Sequence, residues 1–333
     1  MIGIVLAAFV VAVFLWAIEA RKRKSHPVPP GYQSDIELPF EQEFELYHNA
    51  FSLCSMKSRL CMAELQIPYK SHHVDLVETG FYENIRPGFL RVNRAGTVPV
   101  LVHEGHPIYE SHEQIRYAAN FASPGVASLV PEDPALRAEM ESWIDVSSLT
   151  EDPIGNMDKT AGNAVPGQTL PLFCTMVEEI PLSRFLEGWL FHFDKLRPFL
   201  FTLLKLRGID RMHTIPPMVK ALEGSRAQLL RFLSDLEAQL AKSGGPWLLG
   251  EQYTLADVSW LVIFERIRQV EAESVFLSET ERPLTIAYWA RLRERPAYSE
   301  AILGYPHPIV LSGGRRIAEA KAANPNVRKL LEG

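Results

Sequence analysis

From Ile2 to Ile18 the chain carries no charged or strongly polar side chain. As a helix rising 1.5 Å per residue such a run spans roughly 26 Å, close to a hydrocarbon core of about 30 Å, so residues 1–20 are expected to form a single N-terminal transmembrane helix. Arg21-Lys22-Arg23-Lys24 follows the apolar run, whereas a secretory signal peptide has its positive region in front. The positive-inside bias then places the remainder on the cytosolic side of a membrane. The prolines of His26-Pro27-Val28-Pro29-Pro30-Gly31 predict that residues 21–42 form a basic, extended linker holding the folded part off the lipid surface.

Beyond the linker the period of the pattern changes several times. Phe44-Glu45-Leu46-Tyr47-His48 alternates like a half-buried strand, and Met56, Leu60 and Ala63 then recur with helical spacing. Pro68 restarts an extended stretch through Leu76, a polar helical segment follows, and Val98–Val102 with Ile108-Tyr109 reads as a hairpin before a helix from Ser111 to Phe121. The order β-α-β-α-β-β-α over residues 43–123 is a small α/β layer with one parallel crossover and a terminal hairpin. Residues 124–310 are dominated by helical stripes such as Leu229, Phe232, Leu233, Leu236 and Leu240, which predicts an all-helical second domain. Pro153, Gly155, Gly162, Pro166 and Gly167 predict a long loop over 151–169, and 311–333 reads as a C-terminal tail.

Composition changes this picture little. A 333-residue chain that is 47% hydrophobic and 22% charged, with net charge −6, is globular and has no general attraction to nucleic acid. Three irregularly spaced cysteines, Cys54, Cys61 and Cys174, argue against a disulfide framework and for a reducing compartment. Among the ten histidines no pair has the spacing of a metal-binding helix, so no metal site is expected.

The chemistry concentrates where the first strand meets the first helix. In Ser52-Leu53-Cys54-Ser55-Met56-Lys57-Ser58-Arg59 the unpaired N–H groups of a helix start favour a thiolate, so Cys54 is expected to have a lowered pKa, with Lys57 and Arg59 adding to the field. Ser52 and Ser55 compete with it. A hydroxyl there would stabilise a bound thiolate and promote conjugation, whereas a cysteine would form mixed disulfides and promote thiol transfer or reduction.

A strand, a Ser or Cys opening a helix that contains Arg59, then Val98-Pro99, then Glu110-Ser111 resembles the order of the glutathione site in the glutathione transferase superfamily. Trp247-Leu248-Leu249-Gly250-Glu251-Gln252-Tyr253-Thr254-Leu255-Ala256-Asp257 looks like a signature segment of its helical domain, and independently Thr254 and Asp257 have the spacing of a capping box. Within the superfamily the octapeptide at Cys54 is similar to that of glutathione-dependent reductive dehalogenases of chlorinated hydroquinones, and the anchor and long loop are similar to the ganglioside-induced differentiation-associated proteins. The resemblance implies a thioredoxin-like α/β domain followed by an all-α domain, with glutathione as co-substrate and a small hydrophobic substrate. It also implies roles: Cys54 at the glutathione sulfur, the backbone of Val98 before a cis Pro99 for the cysteinyl part, and Glu110 and Ser111 for the γ-glutamyl end. A homodimer is compatible with it. The rival reading is a catalytically silent membrane adaptor on the same fold. Phe185 to Arg207, aromatic and basic by turns, fits a helix at an anionic membrane surface, a greasy cleft wall or an ordinary bundle helix.

Overall fold

The computed structural model describes Met1–Gly333. Helix α1, Ile2–Lys22, buries none of its residues. It leads to a five-stranded sheet of β1 (Gly31–Tyr32), β2 (Phe44–His48), β3 (Lys70–His73), β4 (Val100–His103) and β5 (His106–Tyr109), in the order β1-β5-β4-β2-β3. Only β2 and β3 are parallel, with Leu46 opposite Ser71. The crossover between them is α2, Leu53–Glu64, which covers one face together with α3, Ser111–Ala118.

Strand β2 is more buried than simple alternation suggests. It is flanked by β4 and β3, and Glu45 is buried because its carboxylate accepts from the N–H groups of Glu41 at 2.6 Å and Gln42 at 3.2 Å and pairs with His72 at 2.7 Å. A charge taken out of water survives only with such partners. The polar segment before β4, expected as a full helix, shrinks to two 3-10 turns and the four-residue helix Pro87–Leu90. Backbone groups there are tied by side chains instead, Asn84 donating to the Gly96 carbonyl at 2.8 Å and Asn93 to that of Thr97 at 2.8 Å.

The linker does not stand free. Val28, Ile36 and Leu38 pack on the second sheet face against Val74, Phe89, Val100, Val102 and Tyr109, β1 pairs with β5, and the His26 N–H bonds the Arg94 carbonyl at 2.8 Å. Covering that face with the chain's own apolar linker residues is favourable because the four-residue helix that brings Phe89 there is too short to cover it alone.

The second domain contains α4 (Pro134–Ser147), α5 (Ala161–Glu179), α6 (Leu182–Phe191), α7 (Leu196–Arg207), α8 (Pro216–Ser243), α9 (Leu255–Gln269) and α10 (Pro283–Glu294). Helix α9 is its axis, buried from Leu255 to Ile267. Its start is the capping box read from the sequence: Asp257 accepts from the Thr254 N–H at 2.7 Å and hydroxyl at 3.0 Å, and also from the Leu248 N–H at 2.9 Å and the Tyr288 hydroxyl at 2.8 Å.

Two expectations fail here. The loop ends at Thr160, and residues 161–169 belong to α5. The glycines that suggested a loop mark close packing instead: a Cβ on Gly162 would lie 2.4 Å from the Ser148 carbonyl, and one on Gly167 would lie 2.4 Å from the Ser225 side chain of α8. The expected tail forms α11 (Pro308–Ala323) and α12 (Pro325–Glu332), which bury Val310, Ile317, Val327 and Leu330 in the main core. The two domains are joined by Arg295 on Glu64, with both contacts at 2.6 Å, and by Arg59. Arg59 donates to the Ala301 carbonyl at 2.9 Å and stacks on Tyr305.

Candidate functional site

Strand β2 ends at His48, and Asn49-Ala50-Phe51 carry the chain to Ser52. Ser52 is the N-cap of α2, its hydroxyl accepting from the Ser55 N–H at 3.2 Å. Cys54 therefore lies in the first turn, where free N–H groups leave partial positive charge. Across from it, Glu110 takes positive φ of 66° immediately before α3, and the opening turn of that helix is a second cradle for an anion. The Val98-Pro99 peptide is cis. Val98 lies ahead of the first registered sheet pair, Val100 with Tyr47, so its N–H and C=O stand outside the ladder.

These three places border one cavity of about 550 Å³, lined by Ser52, Cys54, Val98, Pro99, Glu110 and Ser111 among others. A polar chain keeps it in shape. Gln114 of α3 donates to the carbonyls of Pro99 at 3.0 Å and Ile108 at 2.8 Å, and Ser58 of α2 donates to Gln114 at 2.6 Å. A second cavity of about 490 Å³ shares Ser52, Leu53, Thr97, Val98 and Leu149 with the first and continues between the domains against Phe173, Leu200 and Phe201. A polar chamber thus opens onto an apolar one, with the start of α2 at the junction.

The electrostatics differ from the sequence expectation in one respect. Burial pushes the Cys54 thiol above its ordinary pKa, while Lys57, a hydrogen bond from Ser111 and Arg266 pull the other way. The helix start thus does not leave a low-pKa thiol in the free protein, because removing the sulfur from water outweighs the partial charges around it. Lys57 is almost wholly buried and its pKa falls to about 8, chiefly by burial and against the attraction of Cys54. Glu110 is held above the usual carboxylate range by burial and by Glu151 and Glu113.

Of the residues singled out from the sequence, Cys54, Ser52, Val98, Pro99, Glu110 and Ser111 come together around the cavity. Ser55 does not: it is fully buried and its hydroxyl accepts from the Asn49 N–H at 3.2 Å. Arg59 also faces away, donating to the Asn49 carbonyl at 3.1 Å. Cys61 and Cys174 are buried, with thiols pushed well up by desolvation. Ser111 is the first residue of α3, with Glu110 in the cap position.

Several lining residues lay beyond sequence reasoning. Leu149, Thr150 and Glu151 arrive from the helical domain, held there by Asn163, which accepts from the Thr150 N–H and donates to its hydroxyl, both at 2.8 Å. Arg266 of α9 lines the apolar cavity; it donates to the Phe51 carbonyl, lies 4.4 Å over the Phe51 ring, and has a buried Nε without a partner. With Glu265 before it and Arg268 two residues on, no local pattern in the sequence singled it out.

The segments that carry Cys54, Val98, Glu110, Ser111 and Arg266 fall within family matches. The model described as glutathione S-transferase, N-terminal domain, matches residues 51–120, and that of the glutathione S-transferase C-terminal domain matches residues 219–299. The chain carries both domains of the glutathione S-transferase family. Among the relatives of this chain, the glutathione S-transferase TCHQD of Arabidopsis thaliana is 28% identical over 78% of this chain and 90% of its own length. The tetrachloro-p-hydroquinone reductive dehalogenase of Sphingobium chlorophenolicum is 26% identical over 78% and 95%. The human ganglioside-induced differentiation-associated protein 1-like 1 is 25% identical over 88% and 82%. In fold, the β-etherase LigF of Sphingobium sp. strain SYK-6 superimposes with a TM-score of 0.62 at 20% identity, covering 79% of this chain and 100% of the etherase. Both subfamily resemblances read from the octapeptide at Cys54 and from the anchor therefore recur among the relatives.

Proposed function

We propose that the protein binds reduced glutathione in the polar cavity and uses it on a hydrophobic small molecule in the apolar one, with Cys54 at the glutathione sulfur. The observation that carries this reading is the junction: Ser52, Leu53 and Val98 border both cavities, and Cys54 lies beside them. Val98 would pair through its backbone with the cysteinyl part. The α3 start with the Ser111 N–H would take the γ-glutamyl carboxylate, and Glu110 with Glu151 would take the ammonium. The apolar walls favour a substrate with aromatic or aliphatic bulk, and the relatives include a transferase and a reductive dehalogenase by name.

For a substrate carrying a glutathionyl disulfide the electrons balance as follows. The Cys54 thiolate attacks the glutathionyl sulfur, the disulfide bond breaks, and the substrate leaves as a thiolate that takes up a proton. A second glutathione thiolate then attacks the mixed disulfide on Cys54, releasing oxidised glutathione and restoring the Cys54 thiolate. Lys57 and the Ser111 hydroxyl are the groups that favour that thiolate. Conjugation is the alternative use of the same site, in which the Ser52 hydroxyl would donate to the glutathione sulfur. An open cavity favours an enzyme over a silent adaptor, whose mark would be a closed one.

Calorimetry of the full chain in detergent with glutathione tests binding, and heat at millimolar ligand or below is expected; no heat and no thermal shift would remove the reading. Cys54→Ala should abolish thiol transfer and the glutathionyl adduct seen by mass spectrometry. Should Ser52→Ala remove every activity while Cys54→Ala spares them, the sulfur belongs to Ser52. The same proposal makes α1 a membrane anchor with both domains on the cytosolic side, supported by its length, its exposure and Arg21–Lys24 at its end. Protease added to sealed cytosolic-side-out vesicles should digest the folded domains, and protection would reverse the orientation.

A further inference from the structure

Helices α6 and α7 form a hairpin whose outer side is apolar and uncovered. Leu182, Leu186 and Leu190, spaced four apart along α6, are 71, 60 and 41% exposed; Leu196, Phe199 and Leu206 on α7 are 68, 54 and 74% exposed. Each trio lies on one helix face. The inner side is packed firmly. Phe185, Pro198, Phe201 and Leu204 are buried, and a Cβ on Gly188 would lie only 2.2 Å from the Tyr82 hydroxyl. The apolar stripe therefore belongs to a fixed element, and a contiguous apolar surface of this kind marks a missing partner.

What covers it follows from its neighbour. Helix α1 leaves the domain beside α6: the Trp16 indole donates to the Leu190 carbonyl at 3.1 Å, Arg23 stacks at 4.3 Å on Phe191, and Glu187 pairs with Arg23 at 3.0 Å and Arg86 at 2.9 Å. Along α1, Trp16 is six residues before Lys22, or ~9 Å at the helical rise. With the basic cluster at the headgroups, Leu190 then lies at the depth of roughly 5–10 Å to which interfacial amphipathic helices sink. Lys195 and Arg207 flank the hairpin stripe in sequence, as cations do at an anionic leaflet, while Arg197 turns to Glu78 at 2.9 Å and the apolar cavity. A second protein copy would cover the stripe but not the whole uncovered length of α1, whereas one bilayer covers both.

We propose that the α6–α7 hairpin is a second membrane-contacting element, its outer face sunk into the interfacial layer of the anionic phospholipid bilayer that α1 crosses. This rests on α1 being a membrane anchor. The inner side of α7 contributes Leu200 and Phe201 to the apolar cavity, so the element that meets lipid on one side borders the substrate chamber on the other.

The test uses the full chain reconstituted into phosphatidylcholine vesicles containing phosphatidylserine and a phospholipid with a photoactivatable group near the start of its acyl chain. Peptide mass spectrometry should find lipid adducts on α1 and on residues 182–206. The double variant Leu196→Glu, Phe199→Glu should lower the hairpin adducts about tenfold and leave those on α1 unchanged, with glutathione binding as the check on folding. Leu186→Glu on α6 provides an independent second variant with the same expected direction. Adducts on α1 with none on the hairpin would overturn the proposal and leave the anchor intact. Adducts on neither, with the protein released by alkaline carbonate, would overturn the anchor and the hairpin together.

Discussion

Lys57 places a charge in the protein interior beside Cys54, and replacing it by Met should separate stability from function. The residue is 1% exposed. Burial, opposed by attraction to Cys54 and Glu110 and assisted by repulsion from Arg116, takes its pKa from 10.5 down to about 8. That difference amounts to about 3 kcal/mol against the ammonium at neutral pH. Lys57→Met keeps the length of the stem and removes the charge, so it should stabilise the protein at pH 7 by about 1–3 kcal/mol. The pH dependence gives the sharper reading. The unfolded chain holds the lysine proton up to pH 10.5 whereas the folded chain releases it near 8, so wild-type stability rises across that window by about 3 kcal/mol through this group, and the variant lacks the rise. Urea denaturation in detergent micelles, followed by tryptophan fluorescence at pH 7 and pH 10, measures both. The same substitution takes away the positive neighbour that favours the Cys54 thiolate, so the rate of glutathionyl-adduct formation on Cys54 should fall although the fold is firmer. A variant less stable than wild type at pH 7, or one with an unchanged stability difference at pH 10, would refute the reasoning.

His48 should make the fold acid-sensitive. Burial, with Arg59, His73 and His72 nearby, lowers its pKa from 6.5 to about 3, so its contribution is complete above pH 6.5 and is lost as pH falls, by about 2 kcal/mol at pH 5; His48→Gln should lose that much less between pH 6.5 and 5 in urea titrations. Asp257→Ala leaves the Thr254 and Leu248 N–H groups and the Tyr288 hydroxyl without their acceptor, and should cost about 3 kcal/mol or more by the same measurement. Gly188→Ala drives a Cβ against the buried Tyr82 hydroxyl; it should cost about 1–3 kcal/mol and open residues 182–207 to limited proteolysis. If the hairpin stays as resistant as in wild type, the packing of α6 on Tyr82 is softer than described.

Local pattern was enough for much of this architecture. The apolar run of α1, the strand-to-helix change at Ser52, the hairpin of β4 and β5, and the capping box at Thr254 each depend on residues within a few positions of one another, and side-chain periodicity and capping are local physics. The candidate residues Cys54, Val98, Glu110 and Ser111 were legible for a different reason, as a resemblance to a known order of motifs. Tertiary structure decided the rest. Gly162 and Gly167 look like loop residues until the Ser148 backbone and Ser225 press against them. Glu45 looks like the polar side of a strand until His72 and the Glu41 N–H enclose it. Thr150, Glu151 and Arg266 reach the cavities from residues about a hundred to two hundred positions away from Cys54, and no local period announces them. Cys54 itself shows the limit most directly: its place at a helix start could be read from the sequence, but the direction of its pKa shift depends on how much water the folded neighbours exclude. Desolvation is a property of the assembled surroundings, so only the tertiary structure could decide it.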